Sequence, residues 1–350
     1  MPSLNTIKFA LELGAKALDE VVAPGIEKAL SADLPEIFGG NGRLGSALFR
    51  RAVELAPDTL ARKQLVGMQA VATRLSTVGI ENIRPYYDSN LIISSPAYAD
   101  LITADGTRSS GFLHILGEEP FASTSRQFQR LRTDVPTQFI SANLFNTVPK
   151  SAVREFSLSA DMFADRSFFA KRAAQARNDS WQIDALERSA RSGNPVKVIV
   201  SNNAGKTVYE EFARSDRHRS MRDPIKEMES MGLGQASKKA IVDREIIGDS
   251  DHNWTNFTFV VDSEPTIHNI DLEKAFTTNS KPTLRDFWLR PLSRQILGSS
   301  MVSHIGRFVD AYGTRQGFQI LEDLQMYPPE IDGVLSRAQW FVDHKTLPPW

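Results

Sequence analysis

The sequence predicts an α+β fold: a central antiparallel β unit of sandwich or half-barrel form with one helix packed on it, flanked by helical N- and C-terminal regions. Three observations predict it. Period-two alternation over 154–160, 196–202 and 254–262 marks strands with one buried face. Helical spacing of apolar residues over 165–190 marks the covering helix between them. Apolar residues at intervals of three and four recur before residue 80 and after residue 263, where helices replace strands. The expected division is a helical region over 1–79, a β-rich domain over 80–263 bearing an arm over 214–251, and a helical region with an extended tail over 264–350.

Whole-chain properties exclude several classes of function. With 350 residues, 41% hydrophobic and 24% charged, the chain has ordinary globular composition and buries a core in one large or two medium domains. A net charge of -1 supplies no field for nucleic acid or an anionic membrane, so no specific nucleic-acid binding is expected. The absence of cysteine rules out disulfides, thiolate catalysis and Cys-ligated zinc. No run of 18 apolar residues occurs, and Lys8, Glu12, Lys16, Asp19 and Glu20 interrupt the N-terminus, so neither membrane insertion nor Sec export is expected.

In chain order, Leu4, Ile7, Leu11, Leu18, Val21 and Val22 fall at helical intervals, Pro24-Gly25 breaks the run, and a short second helix follows through Ile26 to Leu30. Gly40, Gly42 and Gly45 then complete G-x-G-x-x-G, the spacing that lets backbone approach a pyrophosphate. The fingerprint needs a buried strand before it, and 32–38 contains Pro35, so the stretch reads as a loop between helices. Helices are expected over 44–55 and 57–75, ended by Gly79. Short apolar runs from 80 to 116 read as strands, with Ala104-Asp105-Gly106-Thr107 as a hairpin turn. Arg126, Arg130 and Arg132 lie on helical spacing, a solvated or subunit-facing helix face, and QFISANLF after them is a candidate strand.

The central unit reads strand (REFSLSA, 154–160), helix (Phe168 to Leu186), hairpin (VKVIVSN, turn Asn202 to Gly205, then KTVYEEFA) and final strand (WTNFTFVVD, 254–262). Between hairpin and final strand, Arg214, Arg217, Arg219 and Arg222 precede KEMESMG and Lys238-Lys239. A polar insertion of that length is expected to be an arm reaching another subunit. After residue 263, Leu284, Phe287, Trp288 and Leu292 form one helical stripe, and Met301, Ile305, Phe308 and Tyr312 a second. Pro328-Pro329 and Pro348-Pro349-Trp350 read as extended tail, with Trp350 an anchor for a neighbouring subunit.

Motifs for chemistry are sparse. His114, His218, His252, His268, His304 and His344 show no metal spacing on one helix, and no H-E-x-x-H, G-x-S-x-G or P-loop is present. Asp249, Asp251 and His252 cluster before a strand and read as a turn more simply than as a cation site. No catalytic residue, cofactor or metal is therefore expected; the enzymatic alternative is a site built from Asp251, His252 and Arg217.

The order of the central unit carries a resemblance. REFSLSA, the aromatic-bearing helix, GNPVKVIV followed by VYEEF, and NFTFVVD resemble tail-tube and baseplate ring proteins of phage tails, distal-tail-like baseplate proteins in particular. The likeness covers about a third of the chain. It implies a tail-tube type of sandwich or half-barrel whose edge strands are completed by the next subunit in a ring. It further implies no catalysis, and a structural role at the baseplate/tube junction of a phage tail or related contractile injection machine. The implied partners are copies of itself and other tube, baseplate and hub proteins, and the implied location is the virion tail, assembled in host cytoplasm. Arg214, Arg217, Arg219, Arg222 and Trp350 are the expected interface residues. A viral capsid or coat component, and a bacterial effector or enzyme, are the alternatives.

Overall fold

The computed structural model describes residues 51–56, 61–62, 77–85, 97–103, 106–115, 122–149, 154–158, 192–193, 196–202, 205–208, 224–260, 266–272 and 274–350. Helices and antiparallel sheets are both present, so the fold is α+β. The chain divides into two compact units that are each discontinuous in sequence. One gathers Ala72–Leu131 and Ser151–Asn203; the other gathers Met1–Val71, Arg132–Lys150 and Ala204–Trp350. The expected cuts at 79 and 263 therefore do not separate the units. Gly40, Gly42, Gly45, Arg214, Arg217, Arg219, Arg222 and the 165–190 helix lie outside the described residues.

The first unit holds β1 (Thr77–Pro85), β2 (Ala97–Thr103), β3 (Arg108–Ile115), β4 (Arg154–Leu158) and β5 (Val196–Asn202) in one antiparallel sheet of order β1-β2-β3-β5-β4. Buried residues face each other across it, Ile80 opposite Leu101 and Leu113 opposite Val200, the cross-strand pairing that stabilises a half-buried sheet. Gly106, at φ +80, turns the chain between β2 and β3. β1 is irregular: its register shifts between Glu81 and Arg84, with Asn82 in the left-handed region at φ 50.

The expected 196–213 hairpin is not formed. β5 bonds to β3 on one side and β4 on the other, so neither of its edges remains for the residues that follow. Those residues, β6 (Lys206–Thr207), pair instead with β7 (Phe257–Val260) in a second, three-stranded sheet completed by β8 (Thr266–Asn269). The strands 154–158 and 257–260, expected in one unit, thus belong to different sheets in different units.

α1 (Ala122–Asn143) begins in the first unit and ends in the second. QFISANLF, expected as a strand, forms its last turns and the residues after them; 136–144 is buried throughout, so no alternating pattern exists to favour a strand. Its end is fastened to α4 (Ser299–Tyr312). Tyr312 Oη donates to Asn143 Oδ1 at 2.9 Å, and a His304 ring nitrogen lies 2.6 Å from the Leu144 carbonyl.

The second unit is built around α3 (Gly234–Ile247), which follows the short α2 (Pro224–Ser230). Every residue from Ala240 to Ile247 is buried, so the later part of the expected 214–251 arm is core and not a projection, while 214–223 lie outside the described residues. Ala240, Ile241, Val242, Ile246 and Ile247 cover more than one face, while Asp243, Arg244 and Glu245 are buried with hydrogen-bond or ion-pair partners inside the chain. α4 buries the expected stripe Met301, Ile305, Phe308 and Tyr312. After α5 (Arg315–Asp323), α6 (Pro328–His344) replaces the expected extended segment, since proline at the first helical positions costs no hydrogen bond. Glu330 closes its first turn by accepting from the Tyr327 N–H at 2.9 Å. The chain end returns beside 294–297, where Leu347 N donates to the Gln295 carbonyl and Arg294 N to that of Pro348. Trp350 is 53% exposed and lies with its ring 5.0 Å from the Arg290 guanidinium.

Candidate functional site

The C-terminus of α3 is the local cause of the site. Gly248 caps the helix in the left-handed region at φ 82, donating to the Arg244 and Glu245 carbonyls. A Cβ at this position would collide with the guanidinium of Arg337, so glycine is required twice over. Arg337, on α6 and fully buried, donates to the carbonyls of Ile246 at 3.1 Å, Ile247 at 3.3 Å and Thr277 at 2.7 Å, and also to that of Asn279. A cation thus meets the orphan carbonyls where the helix dipole is negative. Burial pulls its pKa down to about 10, with Glu245 opposing, which leaves it charged at neutral pH.

Beyond the cap, 249–256 is held to the segment after β8 by one side chain. Arg244 Nη2 donates to Asp249 Oδ1 at 3.1 Å, while its Nη1 donates to the carbonyls of Asn256 at 3.3 Å and Ile270 at 3.0 Å. Its guanidinium also lies 5.2 Å from the centre of the Phe257 ring. Glu245 holds the other side: Oε1 is 2.7 Å from His252 Nε2, and Oε2 accepts from the Thr283 N–H at 2.9 Å. Trp288 Nε1 donates to the His252 carbonyl at 2.6 Å. Asp249, Asp251 and His252 accordingly do not converge. Asp249 turns to Arg244, His252 to Glu245, and Asp251 outward. Among the described residues no three His, Cys, Asp or Glu side chains gather as a metal site of protein ligands alone.

What this scaffold presents is a rim of Asp251 and Lys274, with Asn256 buried behind it and Asp271 next in the chain to Ile270, which bonds to Asn256. Asp251 Oδ2 is 2.6 Å from Lys274 Nζ, with the two side chains 33% and 40% exposed. Asn256 Nδ2 donates to the Asp251 carbonyl at 3.2 Å, and Ile270 N donates to the Asn256 carbonyl at 3.0 Å. Asp271, next in the chain, stands in the left-handed region at φ 56, an uncommon conformation for a residue with a side chain. Partial burial pushes the Asp251 carboxyl up, but Lys274, Arg244 and the Asn253 N–H together hold it below the usual carboxylate range. Asp286 is displaced the other way: burial raises it and Asp251 adds to this, against His252 and Arg244.

Of the residues that sequence reasoning singled out, Asp251 is on the rim, His252 supports it from within, and Arg217 lies outside the described residues. Asn256, Asp271 and Lys274 were missed. The signal that could have found them is the spacing Asp251-x4-Asn256 followed, after one hairpin, by Asp271. No protein-family model matches the chain, and no curated protein matches it.

Proposed function

We propose that this protein is a phosphotransferase that moves the terminal phosphate of a nucleoside triphosphate to a hydroxyl acceptor. Asp251 orients and deprotonates the acceptor, and Asn256 and Asp271 hold Mg²⁺. The single observation that carries the reading is the linked placement of Asp251, Asn256 and Asp271. An Asp-x4-Asn loop precedes β7, and an aspartate follows β8, tied to that loop by the Ile270–Asn256 backbone bond. Protein kinases use an aspartate and asparagine at this spacing, and a later aspartate, as base and metal ligands. The donor set suits Mg²⁺, which takes one or two side-chain oxygens and completes its octahedron with phosphate and water. When bound, that ion neutralises charge on the phosphates.

The first unit supports the reading by fold-level analogy. A five-stranded antiparallel sheet of order β1-β2-β3-β5-β4, with a helix between β3 and β4, is similar to the small lobe of protein kinases. The chain departs from the protein-kinase pattern in several respects: Asp251 follows Asp249-Ser250 in place of His-Arg, Leu272-Glu273 follow Asp271 in place of Phe-Gly, and no glycine lies between β1 and β2. β3 (RSSGFLHI) carries Arg108 and His114 but no lysine, and α1 contains no glutamate, so the lysine–glutamate pair of protein kinases has no counterpart on these elements. The test is titration calorimetry with Mg-ATP and Mg-GTP, together with radiolabel transfer from the γ-phosphate. Nucleotide binding that requires Mg²⁺ and is lost in Asp271→Asn is expected; absence of binding at millimolar nucleotide overturns the reading.

A second reading is structural: a ring or adaptor subunit of tail-tube type at a baseplate/tube junction, with copies of itself and other tail proteins as partners. It is favoured by β4, which pairs with β5 through five residues without a register shift and has no partner on its other side among the described residues. Rings in negative-stain images would favour it over the enzymatic reading, and a monomer by light scattering would count against it.

A further inference from the structure

An open strand edge runs beside residues 345–350. After the 3-10 helix Phe287–Leu292, residues 294–297 lie antiparallel to 345–348. Leu347 N donates to the Gln295 carbonyl at 2.8 Å and Leu297 N to that of Lys345 at 2.9 Å, while Arg294, turned to φ 60, donates its N–H to the Pro348 carbonyl at 3.4 Å. Ile296 sits opposite Thr346 between those bonds and exchanges none with it. The alternation of an antiparallel ladder therefore directs the N–H and carbonyl of Ile296 to the opposite edge. Gly298, extended at φ -63 and ψ 147, presents its N–H on that same edge before α4 begins. Neither the Ile296 backbone nor the Gly298 N–H has a hydrogen-bond partner among the described residues. The Ile296 side chain is 77% exposed, more than any other large apolar side chain described.

The charge around this edge has one sign. Arg290, Arg294, His344 and Lys345 are exposed, and neither 287–300 nor 344–350 contains an aspartate or glutamate. Among the described residues Arg290, Arg294 and Lys345 have no carboxylate partner. Arg290 instead lies 5.0 Å from the centre of the Trp350 ring, and Trp350 N donates to Ser293 Oγ at 2.9 Å, which sets an aromatic and a cation side by side at the edge. A bare edge bearing an exposed isoleucine invites pairing with another chain. A second copy added edge to edge would set these cations against one another, and like charges across a contact repel. An acidic strand avoids that repulsion. We propose that this edge docks an extended acidic segment of a partner protein, which adds as a strand along Ile296 and Gly298, covers the Ile296 side chain with an apolar residue and sets its carboxylates on Arg290, Arg294 and Lys345. Backbone bonds fix the register, and the flanking cations select for acid and speed the encounter. The docking is independent of the phosphotransferase reading.

The experiment follows the fluorescence anisotropy of a labelled peptide of alternating Glu and Val, beside a Lys-Val peptide of equal length, with the full chain and two variants. Ile296→Pro removes the outward N–H and breaks no bond inside the protein, since that N–H makes none. Arg290→Glu combined with Arg294→Glu reverses the charge at two exposed positions. Wild type should bind the Glu-Val peptide with a Kd of about 10 to 100 μM, and the Lys-Val peptide about tenfold more weakly or worse. Ile296→Pro should weaken the Glu-Val complex about tenfold, and the charge reversal should exchange the preference between the two peptides. No saturable binding up to about 1 mM Glu-Val peptide, or an affinity that either variant leaves unchanged, overturns the proposal. A dimer in sedimentation equilibrium that Ile296→Glu disperses also overturns it, because the edge then belongs to a second copy. If Ile296→Pro does not fold, Ile296→Glu at the same exposed position, with the same anisotropy readout, decides.

Discussion

Asp243 is wholly buried on α3, and all four of its hydrogen bonds come from donors near the end of α1. Ser141 Oγ donates at 2.6 Å and Thr147 Oγ1 at 2.7 Å, while the N–H groups of Thr147 and Phe145 donate at 3.2 Å. Each hydroxyl is itself oriented, Ser141 accepting from Val148 N at 3.0 Å and Thr147 from Asn269 Nδ2 at 2.8 Å. Burial pushes the carboxyl up to about 6, the bonds from Ser141, Thr147 and Phe145 pulling it back. The folded protein thus holds this proton more tightly than the unfolded chain, where the value is 3.8. The sign follows: the contribution is complete below about pH 4 and is lost as pH rises through about 6, about 3 kcal/mol in all. Urea melts of wild type from pH 4 to 7 should show this decline, and Asp243→Asn should lack it while being less stable throughout. A serine, a threonine and an aspartate 96 to 102 positions apart carry no pattern in sequence, so this network was not legible there.

The helices divide by how plainly their residues announce them. α4 was legible because one face is apolar and the other polar, with Met301, Ile305, Phe308 and Tyr312 in register. α3 was not, because its buried charges imitate a solvated surface: KKAIVDREII reads as an exposed segment unless Asp243, Arg244 and Glu245 are known to have internal partners. The partners lie on α1, in the loop after α3 and on the way to α4, all distant from its own pattern. Arg337 is the tie between α3 and α6. Arg337→Met would leave four carbonyls without their charged donor, and a loss of about 3 to 5 kcal/mol is expected by chemical denaturation. In the site, Asp251 stood out as an acidic residue near a histidine, whereas Asn256, Asp271 and Lys274 gain meaning only once β7 and β8 bring their loops together.

At the scale of the whole chain, the sequence read as three consecutive blocks and the protein uses two interleaved units. The α+β class was legible because it needs only local periods. The sheet membership was not, because β5 takes both its partners, β3 and β4, from earlier in the chain. The interleaving has a measurable outcome. A fragment beginning at Ala204 keeps α3, β7, β8 and α4–α6 but loses 132–150, and with it every donor to Asp243, the Thr147 contact of Asn269 and the Asn143 contact of Tyr312. That fragment is expected to lose near-UV circular dichroism and to unfold without a cooperative transition; a sharp melt would contradict this. Arg244 has a broader consequence. Because one interior guanidinium grips the carbonyls of both Asn256 and Ile270, the two loops are tied to one another and to α3, and they should come apart at the same temperature as the interior.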